Sequence, residues 1–170
     1  VASLLNVLEE TGRDAGLRRQ LRDKYLLYPA GEPRGPAVSD QNGPLWDSCF
    51  ERWTAPFVMA LINERVVRRS NALMGFPWGR AFDYDESLLC PDRARALTVS
   101  LALGAGMLGV STSLGRRIAA RALPKPGEGP DREARERGFF ELFFHAEHPA
   151  EENRGVRACV SGDRDPGYGA

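Results

Sequence analysis

The chain has 170 residues, with 23 Lys and Arg against 23 Asp and Glu, so its formal net charge is zero. That length gives one domain with a real core, or one domain plus tails. The balanced charge argues against general nucleic-acid binding, which needs a basic face to neutralise phosphates. Charge is still locally uneven: Arg65, Arg68 and Arg69 cluster, and so do Arg116, Arg117 and Arg121. Three cysteines, Cys49, Cys90 and Cys159, stand far apart with no CxxC. That fits reduced thiols in the cytoplasm better than a disulfide framework. The first 20 residues lack the long apolar core of a secretory signal.

Residues 2–27 read as helix, capped by Ser3, with Leu4, Leu5, Leu8, Leu17 and Leu21 as apolar positions and a break at Gly12 or Gly16. Residues 29–44 hold four prolines and three glycines and read as loop. A long helix is expected next, capped by Thr54, with Pro56 in its first turn and Gly75 as its stop. Met59, Ile62, Val66 and Leu73 form one stripe of that helix, and Asn63 and Ser70 fall on the same stripe. Glu64, Arg65 and Arg68 point elsewhere, onto a face expected to be solvated, with Glu64 and Arg68 as an i,i+4 pair.

A short strand is expected within 76–89, carrying Phe82 and Tyr84. From Ala96 to Gly115 twenty residues carry no charge, with Arg93 and Arg95 before them and Arg116 and Arg117 after. The segment "DREARERG" reads as a short helix ended by Gly138. Residues 139–146 and 156–161 read as two strands of an antiparallel hairpin with a long loop. No internal repeat is present.

No GxGxxG or GxxxxGK[ST] occurs, so no nucleotide cradle is visible. His145 and His148 bracket Glu147, but no third ligand is obvious, and a surface strand is the better reading than a metal site.

Four stretches carry a resemblance: "ERWTAPFVMALINERVVRRSNAL", "YDESLL", "LPKPGEGP…ARERGFFEL" and "GDRDPGYG". In order and spacing the chain resembles the C-terminal half of saccharopine dehydrogenase-like oxidoreductases, most closely their trans-acting enoyl reductases. The resemblance implies an α+β fold: a mixed or antiparallel sheet flanked by helices, covering the substrate side of a Rossmann domain that this sequence lacks. Residues 1–170 would then be a single substrate-side domain, and 162–170 the crossing back toward that missing Rossmann domain. On this reading the chain is a fragment or a truncated product.

The resemblance also implies NADP or NAD as cofactor, bound mainly by the missing domain, and a polyketide synthase or acyl carrier as partner. The reaction would be reduction of a double bond on a lipid or polyketide intermediate, with the chain inactive alone. Tyr168 and Asp165 are the candidate catalytic residues, since such a reduction also needs a proton delivered to carbon. Asn63, Ser70 and Asn71 are candidates to line a substrate cleft. Arg65 and Arg68 are candidates for a cofactor or carrier phosphate, which suits the guanidinium fork. Each has a plain alternative: polar groups satisfied by neighbouring backbone, a solvated arginine face, and an Asp–Arg braced turn at 163–165.

The uncharged run admits three readings. It is long enough to span a hydrocarbon core of about 30 Å, but four glycines and five Ser or Thr weaken insertion. It is otherwise a buried core helix, or a surface segment that dips into a membrane or grips an acyl chain, with its arginines toward anionic lipid. The protein is thus expected in the cytoplasm, or peripherally at a membrane through 96–115. A rival class is a non-catalytic module that binds lipid or a partner protein.

Overall fold

The protein, seen in a computed structural model, is described over residues 14–36, 39–122, 129–148 and 155–165. Ser3, Gly12 and Tyr168 lie outside the described residues. The chain divides into two compact units, residues 2–122 and 123–170.

In the first unit, Asp14 starts helix α1 (Ala15–Leu21) by accepting from the backbone N–H groups of Gly16 and Leu17. Turns follow at 24–28, so the helix expected over 2–27 stops at Leu21 among the described residues. A three-stranded antiparallel sheet holds β1 (Leu45–Asp47), β2 (Arg52–Pro56) and β3 (Ser87–Cys90), with β2 central. Asp47 closes the β1–β2 turn, its Oδ1 accepting from the N–H groups of Cys49 and Phe50. Leu45 pairs with Thr54, and Trp53 with Cys90.

Thr54 and Pro56 therefore belong to a strand and do not open a helix. The aromatic and β-branched residues of "RWTAP" are held on both sides by ladder partners, and that pairing overrides the capping signal. Helix α2 (Ala60–Leu73) starts four residues beyond Pro56. It ends as the sequence suggests. Gly75 takes a left-handed φ of 79°, its N–H donates to Ala72, and the N–H of Phe76 donates to Asn71. Phe82 and Tyr84 lie before the strand that was expected to carry them, in the approach to β3.

Asp92 caps helix α3 (Arg93–Ser111), and α4 (Ser113–Ala122) follows after Thr112. The uncharged run is thus two helices with a corner. The apolar core is small: Ala55, Cys90 and Ala96 are buried, with Trp53 and Val99 against them. Alanine at 55 and 96 lets the first turns of α3 lie close on the sheet. Among the described residues no large side chain is fully buried.

In the second unit Asp131 caps helix α5 (Arg132–Glu136), which carries two exposed i,i+4 pairs, Arg132–Glu136 and Glu133–Arg137. Strands β4 (Phe140–Glu147) and β5 (Gly155–Gly162) pair antiparallel from Phe140–Gly162 to Glu147–Gly155.

Candidate functional site

Helix α2 is turned with its charged face inward. Glu64, Arg65, Arg68 and Asn71 are buried, while Met59, Ile62, Val66 and Leu73 are exposed. The arginine face expected in solvent is therefore the one packed against the protein. Isolated charges cannot be buried so deeply, because desolvation would cost several kcal/mol per ion. They are buried here as a set.

Glu64 is the hub. Its Oε2 takes Lys24 Nζ at 2.8 Å and Arg68 Nη1 at 3.4 Å, and its Oε1 accepts from the Glu86 N–H at 3.4 Å. Arg68, only 2% exposed, donates through Nη2 to Asp83 and, at 2.7 Å, to the Tyr84 carbonyl. Its Nε is buried without a hydrogen-bond partner. Lys24 also reaches Asp40 at 3.4 Å. Arg65 donates from Nε to the Asp23 carbonyl and reaches Asp40 at 3.9 Å. Lys24, Arg65 and Arg68 thus balance Asp40, Glu64 and Asp83. The set ties the 23–40 loop and the 83–86 loop to α2.

A second polar group sits at the edge of this set. Glu86 Oε2 accepts from Asn63 Nδ2 at 2.8 Å, and its Oε1 accepts from the Tyr84 hydroxyl at 2.7 Å. Burial, then the hydrogen bond and negative charge of Glu86, push the Tyr84 hydroxyl far above its ordinary pKa. Tyr84 therefore stays protonated and acts as a donor that fixes the carboxylate. Asp85 is also raised, by desolvation first and then by Asp83 and Glu64. Burial likewise raises Cys90, so its thiol stays unionised and is a poor nucleophile.

A carboxyl with a raised folded-state pKa binds more protons folded than unfolded, so its ionisation lowers stability as pH rises through that range. Asp85→Asn is expected to raise the urea midpoint at neutral pH and leave it unchanged below the carboxylate range. An unchanged midpoint at both pH values would refute the crowding of Asp85.

Ser70 Oγ donates back to the Val66 carbonyl at 2.9 Å. Asn71 clamps the 76–80 loop, donating to the Gly79 carbonyl at 2.9 Å and accepting from the Trp78 N–H at 3.2 Å. Asn63, Arg65 and Arg68 share the α2 region with Asp83 and Glu86. Asp165 lies in the second unit, its N–H donating to the Arg135 carbonyl at 3.1 Å. His145 Nε2 is 3.4 Å from Glu147 Oε1, two residues along β4. Sequence reasoning missed Lys24, Asp40, Asp83, Tyr84 and Glu86. The available signal was the acidic run "DYDE" at 83–86, which faces the basic side of α2.

These elements make an α+β protein with small antiparallel sheets and helices. Its sequence is similar to proteins named trans-acting enoyl reductase. A Mycobacterium tuberculosis (strain H37Rv) protein provisionally given that name is 38% identical over 185 aligned positions, covering 100% of this chain and 43% of the relative. The trans-acting enoyl reductase of Mycobacterium ulcerans (strain Agy99) is 40% identical over 153 positions, covering 82% of this chain and 37% of the relative. That of Mycobacterium bovis (strain BCG Pasteur 1173P2) is 36% identical over 156 positions, with 82% and 37% covered. The chain thus spans less than half the length of these relatives. No protein-family model and no solved structure matches it.

Proposed function

We propose that this chain is the substrate-side, C-terminal part of an NAD(P)-dependent enoyl reductase of the saccharopine dehydrogenase-like class, acting in trans with a polyketide synthase or acyl carrier. The observation that carries the reading is 38% identity along 100% of the chain to a protein provisionally named trans-acting enoyl reductase. The α+β fold supports it.

A dinucleotide does not fit the described residues. Its pyrophosphate needs a glycine-rich strand-to-helix turn. The turn from β3 to α3 instead carries Asp92, whose carboxylate occupies the Arg95 N–H. Arg65 and Arg68 are engaged within the protein. On this proposal NADP or NAD is held by the part of the relatives that this chain does not span, their Rossmann domain.

The polar edge of Asn63, Tyr84 and Glu86 is assigned to the substrate side. Asn71, Arg65 and Arg68 act behind it by fixing α2 and its loops, while Ser70 donates back to its own helix. Tyr168 and Asp165 are assigned to proton delivery.

The test joins this chain to the remaining segment of the M. tuberculosis relative. The fusion is expected to consume NADPH with an enoyl thioester on an acyl carrier, and the chain alone is expected to show no turnover. A fusion that folds and binds NADPH yet leaves the thioester intact would overturn the proposal.

A further inference from the structure

We infer that the α3–α4 hairpin is an interfacial anchor that seats the protein on an anionic lipid surface, through exposed Leu97, Leu101, Leu108, Leu114 and Ile118 with Arg117 and Arg121 beside them. This goes beyond the reductase reading and does not depend on it.

Only the first turns of α3 are held by the sheet, where Ala96 is buried and Val99 packs on the core. Beyond them α3 leaves the sheet: Leu101 is 63% exposed and Leu108 is 72% exposed. At the helical period, Arg93, Leu97, Leu101, Gly104 and Leu108 fall within an arc of roughly 80°. In α4, Leu114 and Ile118 are exposed one turn apart, and Arg117 and Arg121 complete an arc of roughly 100° with them. In α4 leucine and isoleucine share one arc with arginine, as an interfacial helix requires, while α3 adds exposed leucines without a polar face of its own. The apolar side chains enter the acyl boundary, and the guanidinium groups stay at headgroup level.

Charge makes the assignment specific. Residues 93–122 hold five arginines and no acidic residue. That leaves 18 basic against 23 acidic residues in the rest of a formally neutral chain. The element with the exposed apolar stripe is therefore cationic by five charges in a chain whose net charge is zero. An anionic surface attracts this element.

A second copy fits less well. Two hairpins packed on each other would bring ten arginines together with no carboxylate from either hairpin. The pair also cannot cross a bilayer. No helix of the described residues is long and apolar enough, and the chain turns at Thr112 into the arginine-bearing α4.

The test is cosedimentation of the chain, by itself and within the fusion described above, with vesicles of phosphatidylcholine containing about one-third phosphatidylglycerol, a strongly anionic surface. The chain is expected to bind these and not pure phosphatidylcholine. Raising NaCl from about 0.1 M to about 1 M, which shortens the screening length from about 10 to about 3 Å, is expected to release it. Arg117→Gln with Arg121→Gln is expected to weaken binding about thirty-fold, at about one surface charge's attraction per arginine. Leu101→Asp with Leu108→Asp is expected to weaken it at least about a hundredfold. Both arginines are exposed, so the glutamine pair keeps the test valid should the aspartate pair misfold.

Failure to bind the anionic vesicles, or binding unchanged in folded variants, overturns the inference. So does a chain that ignores vesicles but turns from oligomer to monomer when Leu101 and Leu108 become aspartate. In that case another polypeptide surface covers the face.

Discussion

Glu64→Ala is expected to lower the unfolding free energy by about 3–5 kcal/mol, the range for removing one partner of a buried ion pair. Glu64 lies between Lys24 and Arg68, and all three are buried. Truncating the carboxylate leaves both cations without their shared acceptor in a site that water does not reach freely. The loss is therefore set by the groups left behind more than by the bonds removed. Lys24→Met with Glu64→Leu separates these terms. That pair removes one charge of each sign and leaves Arg68 with Asp83 and Arg65 with Asp40. Apolar replacement of a whole buried pair is often neutral or stabilising, so the double variant should be more stable than Glu64→Ala alone. Urea unfolding at an unchanged m-value measures both. A Glu64→Ala midpoint equal to the parent's would mean that the charges are hydrated and the network is not a buried one.

The inverted α2 is where sequence reasoning and structure part. The period of Met59, Ile62, Val66 and Leu73 correctly located a helix, because it follows from backbone geometry alone. Which face turns inward depends on what the rest of the chain offers, and here that is Lys24, Asp40 and the acidic 83–86 run. These partners lie 15 to 40 residues away in sequence, so no local window contains the pairing.

The same limit explains Thr54. Its capping signal is local, but its pairing with Leu45 and Leu89 is not. Elements with purely local causes were legible. The Gly75 stop needs only its own left-handed φ, and the hairpin of β4 and β5 needs only neighbouring apolar runs. Of the candidate site residues, Asn63 was legible as a polar group out of place on an apolar stripe. Its partner Glu86 was not, being fixed by the loop that returns from α2 to β3.

The corner between α3 and α4 gives the second large effect. Thr112 Oγ1 caps α4 by accepting from the Gly115 N–H at 3.0 Å, and Arg116 Nη1 donates back to the Val110 carbonyl at 3.3 Å, so the first turn of α4 lies against the end of α3. A methyl group built on Gly115 would lie 1.9 Å from the Gly109 carbonyl oxygen and 2.5 Å from its carbon. Backbone cannot give way as a side-chain end can, so Gly115→Ala must open the corner or unwind a turn. Overpacking of this kind costs about 1–3 kcal/mol. Gly104 and Gly106 sit in the same run with open space where a methyl would be. There Gly→Ala removes a helix-weakening residue and is expected to stabilise by roughly 0.5–1 kcal/mol. Opposite signs from one chemical change separate close approach from helix propensity. If Gly115→Ala instead matches Gly104→Ala in thermal unfolding and helical circular dichroism, α3 and α4 do not fold back on one another at Thr112.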